Sequence, residues 1–214
     1  MNQILLWLDI IGITVFAMTG CLVAARKHLD VISFILLGTV TGMGGGTLRD
    51  VLLDRAVFWV QQPKYLVICT VTSIIMFFIA SHIDKYRRWI LWGDAIGISV
   101  FTVVGTNIAL EMGMHWSVCI LMGVATCIVG GIVRDLLANE PSLIVRKEIY
   151  ATACVAGSAM FIVAHSQAPE LAIVLSMGTT FLIRAAAIHY RLQLPGYAWK
   201  NEPFCEYRRR RNEA

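Results

Sequence analysis

Apolar residues in this chain fall in long runs separated by short clusters of Lys, Arg, Asp and Glu. A bilayer core about 30 Å thick needs roughly 20 apolar residues per helix, and segments of that length begin near Ile4, Val31, Tyr65, Trp89, Trp116, Ile149 and Leu171. The pattern predicts an all-α integral membrane protein with seven transmembrane helices. The first run, residues 4–25, carries Asp9 and lacks both a basic leading region and a small-residue cleavage site, so it is expected to stay as a helix and not be removed as a signal peptide.

Composition agrees with lipid as the solvent. Of 214 residues 57% are hydrophobic and 15% charged, against about 45–50% and 25% in a soluble domain, and the mean hydropathy is +0.69. An ordinary globular enzyme is excluded. The net charge of +4 points to topology and not to a nucleic-acid partner. If seven spans alternate, 14 of the 18 basic residues lie on one side, including Arg26, Lys27, Lys85, Arg87, Arg88, Arg134, Arg146, Lys147 and the run 208–211. Only Arg49, Arg55 and Lys64 lie on the other, and Arg184 sits within the last span, one turn from its end, where it is expected to snorkel. The positive-inside rule then puts the N-terminus outside and the C-terminus in the cytoplasm of a bacterial inner membrane. The tail from Pro195 reads as a topology-enforcing basic segment, with attraction to anionic lipid headgroups as the alternative.

Sliding the sequence against itself by 85 residues reveals an internal duplication. Residues 9–54 match 94–139 without a gap at 17 of 46 positions, among them Asp9 with Asp94, Gly45 and Gly46 with Gly130 and Gly131, and Arg49-Asp50 with Arg134-Asp135. Each copy holds three spans, an odd number, so the second copy is expected to enter the membrane upside down. Inverted repeats of this kind build transporters, with the pathway at the repeat interface. The expected units are residues 1–88, 89–167, a seventh helix at 168–192 and a tail at 193–214.

Residues 32–60 make a stretch of about 43 Å at 1.5 Å per residue, too long for one straight span, and it contains Gly42, Gly44, Gly45 and Gly46. The second helix is expected to break there, and the fifth more mildly at Gly130-Gly131. Freed backbone groups must face protein or water, so these glycines, with Thr41 and Thr126, are candidate pathway elements, and Thr39 is a weaker one. The competing reading is close helix packing at Gly38, Gly42 and Gly46. Stiffening the break, as in Gly45→Leu, is expected to lower conductance with assembly intact.

Beyond each glycine cluster stand Arg49-Asp50 and Arg134-Asp135, and early in the first helix of each copy stand Asp9 and Asp94. Ionisable groups at membrane depth pair or line polar cavities. One reading is an Asp–Arg bridge clamping the first two helices of each copy; the other is a pair of charged pathway mouths, in which Asp50 and Asp135 attract cations. The six cysteines have no ligand spacing and read as small core residues. The five histidines fall near span ends, no Walker sequence occurs, and no cofactor or enzymatic chemistry is expected.

Residues 44–53 (Gly-Gly-Gly-Thr-Leu-Arg-Asp-Val-Leu-Leu), residues 130–137 (Gly-Gly-Ile-Val-Arg-Asp-Leu-Leu) and residues 146–153 (Arg-Lys-Glu-Ile-Tyr-Ala-Thr-Ala) together resemble the trimeric intracellular cation channel family, prokaryotic branch. The resemblance covers about residues 5–190. It implies three plus three inverted helices plus one, a homotrimer in membrane lipid, a separate pathway in each protomer kinked in helices two and five, and K+ and Na+ as permeant ions. Prokaryotic proteins of this type are also described as glycine transporters, so a secondary carrier for glycine or a similar small amino acid stands as the alternative.

Overall fold

The structure is a computed structural model that describes residues 3–83, 86–140 and 149–192. The tail from residue 193, and the turn and helix start expected around Pro141 and residues 146–148, lie outside the described residues. Eight α-helices are found among those described: α1 (Gln3–Arg26), α2 (Val31–Leu52), the single turn α3 (Phe58–Gln61), α4 (Lys64–Ile79, extended by a 3-10 turn to His82), α5 (Tyr86–Glu111), α6 (Trp116–Leu137), α7 (Ala151–His165) and α8 (Pro169–Tyr190). Six of them are long and apolar enough to cross a bilayer, which makes this a multi-pass membrane protein, whereas α7 has 15 residues, about 23 Å at 1.5 Å per residue. The expected seven full-length spans are therefore six, with one short apolar helix.

Local chemistry sets several helix ends. Asp30 caps α2, its Oδ1 accepting the Ser33 N–H at 2.8 Å, and those bonds from Ser33 hold its carboxyl below the usual range. Pro169 opens α8 and Arg191 closes it in the left-handed region at φ 52°. The glycines of α2 do not end it. α2 runs as one α-helix through Gly42–Gly46 and stops at Leu52, where the chain turns before α3. The excess length that pointed to a break is taken up by this turn, and α6 likewise runs unbroken through Gly130-Gly131.

The most extensive packing joins α1 to α2, α5 to α6, α1 to α5 and α2 to α6, with α8 laid against α5 and α7. Contacts recur at the 85-residue offset seen in the sequence. Gly38 leaves its space to Ser73 and Cys21, and Gly123 leaves its own to Ser158 and Thr106. Cys21 Sγ donates to Ser73 Oγ at 3.4 Å, and Thr106 Oγ1 to Ser158 Oγ at 2.9 Å. Phe16 and Phe101, themselves a matched pair, meet at 5.2 Å between ring centroids. Outward-facing side chains such as Ile32, Leu36, Val67, Phe78, Leu121, Val163 and Leu182 are apolar and exposed, as a surface bathed in acyl chains requires.

Candidate functional site

At the centre of the protomer α2 crosses α6 with almost no separation. A Cβ on Gly45 would collide with the carbonyl oxygen of Thr126, and a Cβ on Gly130 with the carbonyl oxygen of Thr41. Gly44 faces the Cα of Gly130 at an ordinary van der Waals distance, Gly42 abuts the Ile13 carbonyl, Gly46 the Phe58 ring and Gly131 the Tyr150 hydroxyl. Small residues here let two backbones approach; this packing, and not a break, is what the glycine cluster does in the structure. The Thr41 and Thr126 hydroxyls are spent on their own helices, donating to Leu37 O at 2.5 Å and Met122 O at 2.6 Å. Thr39 lines an open apolar groove of about 460 Å³ with Gly44, Thr47, Trp59 and Val129, where the Trp59 indole N–H donates to Thr47 Oγ1 at 2.9 Å.

The six charged residues gather into two sets, as the sequence predicts, but the sets differ. Arg134 is buried completely and spends all five N–H groups: Nε and Nη2 on Asp135 Oδ1 at 2.9 Å each, Nη1 and Nη2 on Asp94 Oδ1 and Oδ2 at 2.8 and 3.1 Å, and Nη1 on Thr19 Oγ1 at 2.9 Å. A planar guanidinium suits such forked contacts, and a charge at this depth is tolerable only when paired. This is the expected clamp between the first two helices of a copy, here α5 and α6.

In the first copy that clamp is absent. Arg49 turns its Nε and Nη2 to Asp50 Oδ1 on its own helix at 2.9 and 2.8 Å, with the Phe58 ring 5.8 Å from its guanidinium carbon. Asp50 Oδ2 in turn accepts the Phe58 backbone N–H at 2.9 Å, fixing the turn after α2. Asp9 forms no ion pair among the described residues and faces the Tyr65 hydroxyl of α4, with Arg49 and Asp50 nearby. Tyr65 and its counterpart Tyr150, 85 residues on, belong to the two sets and went unrecognised in the sequence analysis. Extending the same offset past residue 54 would have paired them, together with Cys69 and Cys154. Thr19 was also missed. Its counterpart is Val104, so the repeat gives no signal for it.

Arg184 does not snorkel. It is 1% exposed, its Nη1 donates to Ile149 O at 3.3 Å, and its guanidinium carbon stands 5.1 Å over the Tyr150 ring. α7 and α8 pack closely enough to bring Tyr150, just before α7, under a cation from α8.

Comparison with known proteins follows this geometry. A family model described as Glycine transporter matches twice, over residues 6–81 and 91–166. The Escherichia coli K12 protein called UPF0126 inner membrane protein YadS is 42% identical over 197 residues, covering 90% of this chain and 95% of that one. Among solved structures, the trimeric intracellular cation channel orthologue from Rhodobacter sphaeroides is 43% identical with a TM-score of 0.87, covering 89% of this chain and all of that one. A prokaryotic channel of the same kind, solved in 0.5 M KCl, is 29% identical with a TM-score of 0.86, covering 91% of this chain and all of that one. The chain belongs to the Glycine transporter family, in the prokaryotic branch of the trimeric intracellular cation channels.

Proposed function

We propose that the protein is a cation channel: a homotrimer in the bacterial inner membrane, with one pathway in each protomer between two inverted three-helix halves, carrying K+ and Na+. The halves are residues 1–88 and 89–167, the helix at 168–192 stands outside the repeat, and the basic tail at 193–214 lies with the positive loops in the cytoplasm, leaving the N-terminus outside. The observation that carries this reading is the placement of the two charge sets. Arg134 bonds Thr19, and Asp9 stands ten residues earlier on the same helix, about 15 Å away at 1.5 Å per residue. Two carboxylate-rich sets thus stand on either side of the α2–α6 crossing in a molecule whose outer surface is apolar. Carboxylates so placed raise the local concentration of cations, and arginines keep them from being held too tightly. The titles of the similar solved structures, which name trimeric intracellular cation channels, support the same reading.

The test is single-channel recording of the purified protein in planar bilayers under a K+ gradient, with glycine on one side. Discrete steps that reverse near the K+ equilibrium potential and ignore glycine are expected. The second reading, a carrier for glycine or a similar small amino acid, is favoured by the description of the matching family model. It requires saturable, ion-coupled glycine uptake into proteoliposomes and no unitary current.

A further inference from the structure

Two polar ties draw α1 and α6 together at one end of the protomer. Arg134 Nη1 donates to Thr19 Oγ1 at 2.9 Å, and Glu140, just beyond α6, takes Arg26 Nη2 at 2.8 Å and Lys27 Nζ at 3.0 Å. The 85-residue offset carries this helix pair onto α5 and α2, whose C-terminal ends lie at the other end of the protomer because α2 crosses it from Asp30 to Leu52. There Val104 replaces Thr19, Glu111 stands in place of Arg26, and Arg55 in place of Glu140. The same two positions again hold opposite charges, with the signs exchanged between them.

This second pair is not made in the structure. Arg55 and Glu111 are both exposed, neither enters an ion pair among the described residues, and Glu111 accepts a hydrogen bond from Asn107 Nδ2 of its own helix at 2.9 Å. The backbone agrees: α1 touches α6, whereas α5 makes no comparable contact with α2. The buried charges follow the same division, since Arg134 reaches across to α1 while Arg49 stays on its own helix.

We infer that the two ends are clasped alternately. The structure holds the α1–α6 end shut and the α2–α5 end apart; in the second state Arg55 pairs with Glu111, α5 closes on α2, and Glu140 releases Arg26 and Lys27. An exposed ion pair biases a two-state balance by only about two- to fivefold, so a clasp of this strength tilts an equilibrium without locking it. The inference rests on the proposed pathway between the halves for its role in transport, but the clasp itself is tested without any current.

The experiment uses the full chain in proteoliposomes, with Cys205 replaced by Ser and the remaining native cysteines buried. Arg55→Cys and Glu111→Cys are introduced together, and a short bifunctional maleimide is added. Its capture is read as intramolecular linkage by peptide mass. Linkage is expected in the parent, and a rise of about two- to fivefold when Glu140→Gln or Thr19→Val is added, because each loosens the opposite end. No linkage in any background, or the same yield in all three, would overturn the inference. The readout is a mass and not a conductance, so it is answered whether or not the protein conducts ions.

Discussion

Gly45 has no room for a side chain against the carbonyl oxygen of Thr126, and the constraint returns 85 residues later between Gly130 and Thr41. Because the obstacle is backbone of the facing helix, neither partner can rotate away. Gly45→Ala and Gly130→Ala are each expected to cost about 1–3 kcal/mol by overpacking, and Gly44→Ala, which meets only ordinary contact, less than about 0.5 kcal/mol. Thermal unfolding of the three detergent-solubilised variants checks the order. Gly45→Leu, which a flexible break would tolerate, is expected to abolish the folded protein.

Arg134 and Arg49 occupy matched positions but carry unequal structural weight. Asp94→Asn removes one charge from a fully buried, saturated network and is expected to cost about 3–5 kcal/mol. Asp9→Asn leaves no ion pair broken among the described residues and is expected to cost less. Equal losses in a thermal shift assay would contradict the asymmetry.

Threonine hydroxyls in a pathway are natural ion ligands, but those of Thr41 and Thr126 are bonded to their own helices. Thr41→Val and Thr126→Val are expected to leave unitary K+ current unchanged. A clear fall in conductance, in protein that elutes as wild type, would assign the hydroxyls to the ion.

The Lys27 hydrogen bond, aided by Arg26, holds the Glu140 carboxyl below its usual range. A carboxylate whose pKa is depressed on folding contributes stability above its unfolded pKa, near 4.3, and loses it as pH falls through the folded value. Glu140→Gln is therefore expected to be less stable than the parent at neutral pH and indistinguishable from it in acid below the folded pKa. Melting temperatures of both proteins across that range decide it.

Much of this was legible in the sequence because lipid imposes strict rules. Long apolar runs, lopsided Lys and Arg, and charges that survive at matched positions announced the spans and both charge sets. Three features were not legible. The interruption expected at Gly42–Gly46 did not occur, because glycine cost in an isolated helix is outweighed when the same residues admit a facing backbone. The depth of Arg184 depends on Tyr150, which comes from another helix pair. Thr19 acts only in one copy, so a method that looks for what is repeated passes over it.

The α2–α6 crossing has one more property. Each glycine fits the partner's threonine carbonyl and each threonine carbonyl fits the partner's glycine, so the joint is self-complementary in the manner of an isologous interface. A half-length polypeptide carrying one such glycine and one such threonine could have made both contacts with a second copy of itself. The fused chain keeps that ancestral symmetry at its centre, while Thr19 and Val104 mark where the halves, once joined, became free to differ.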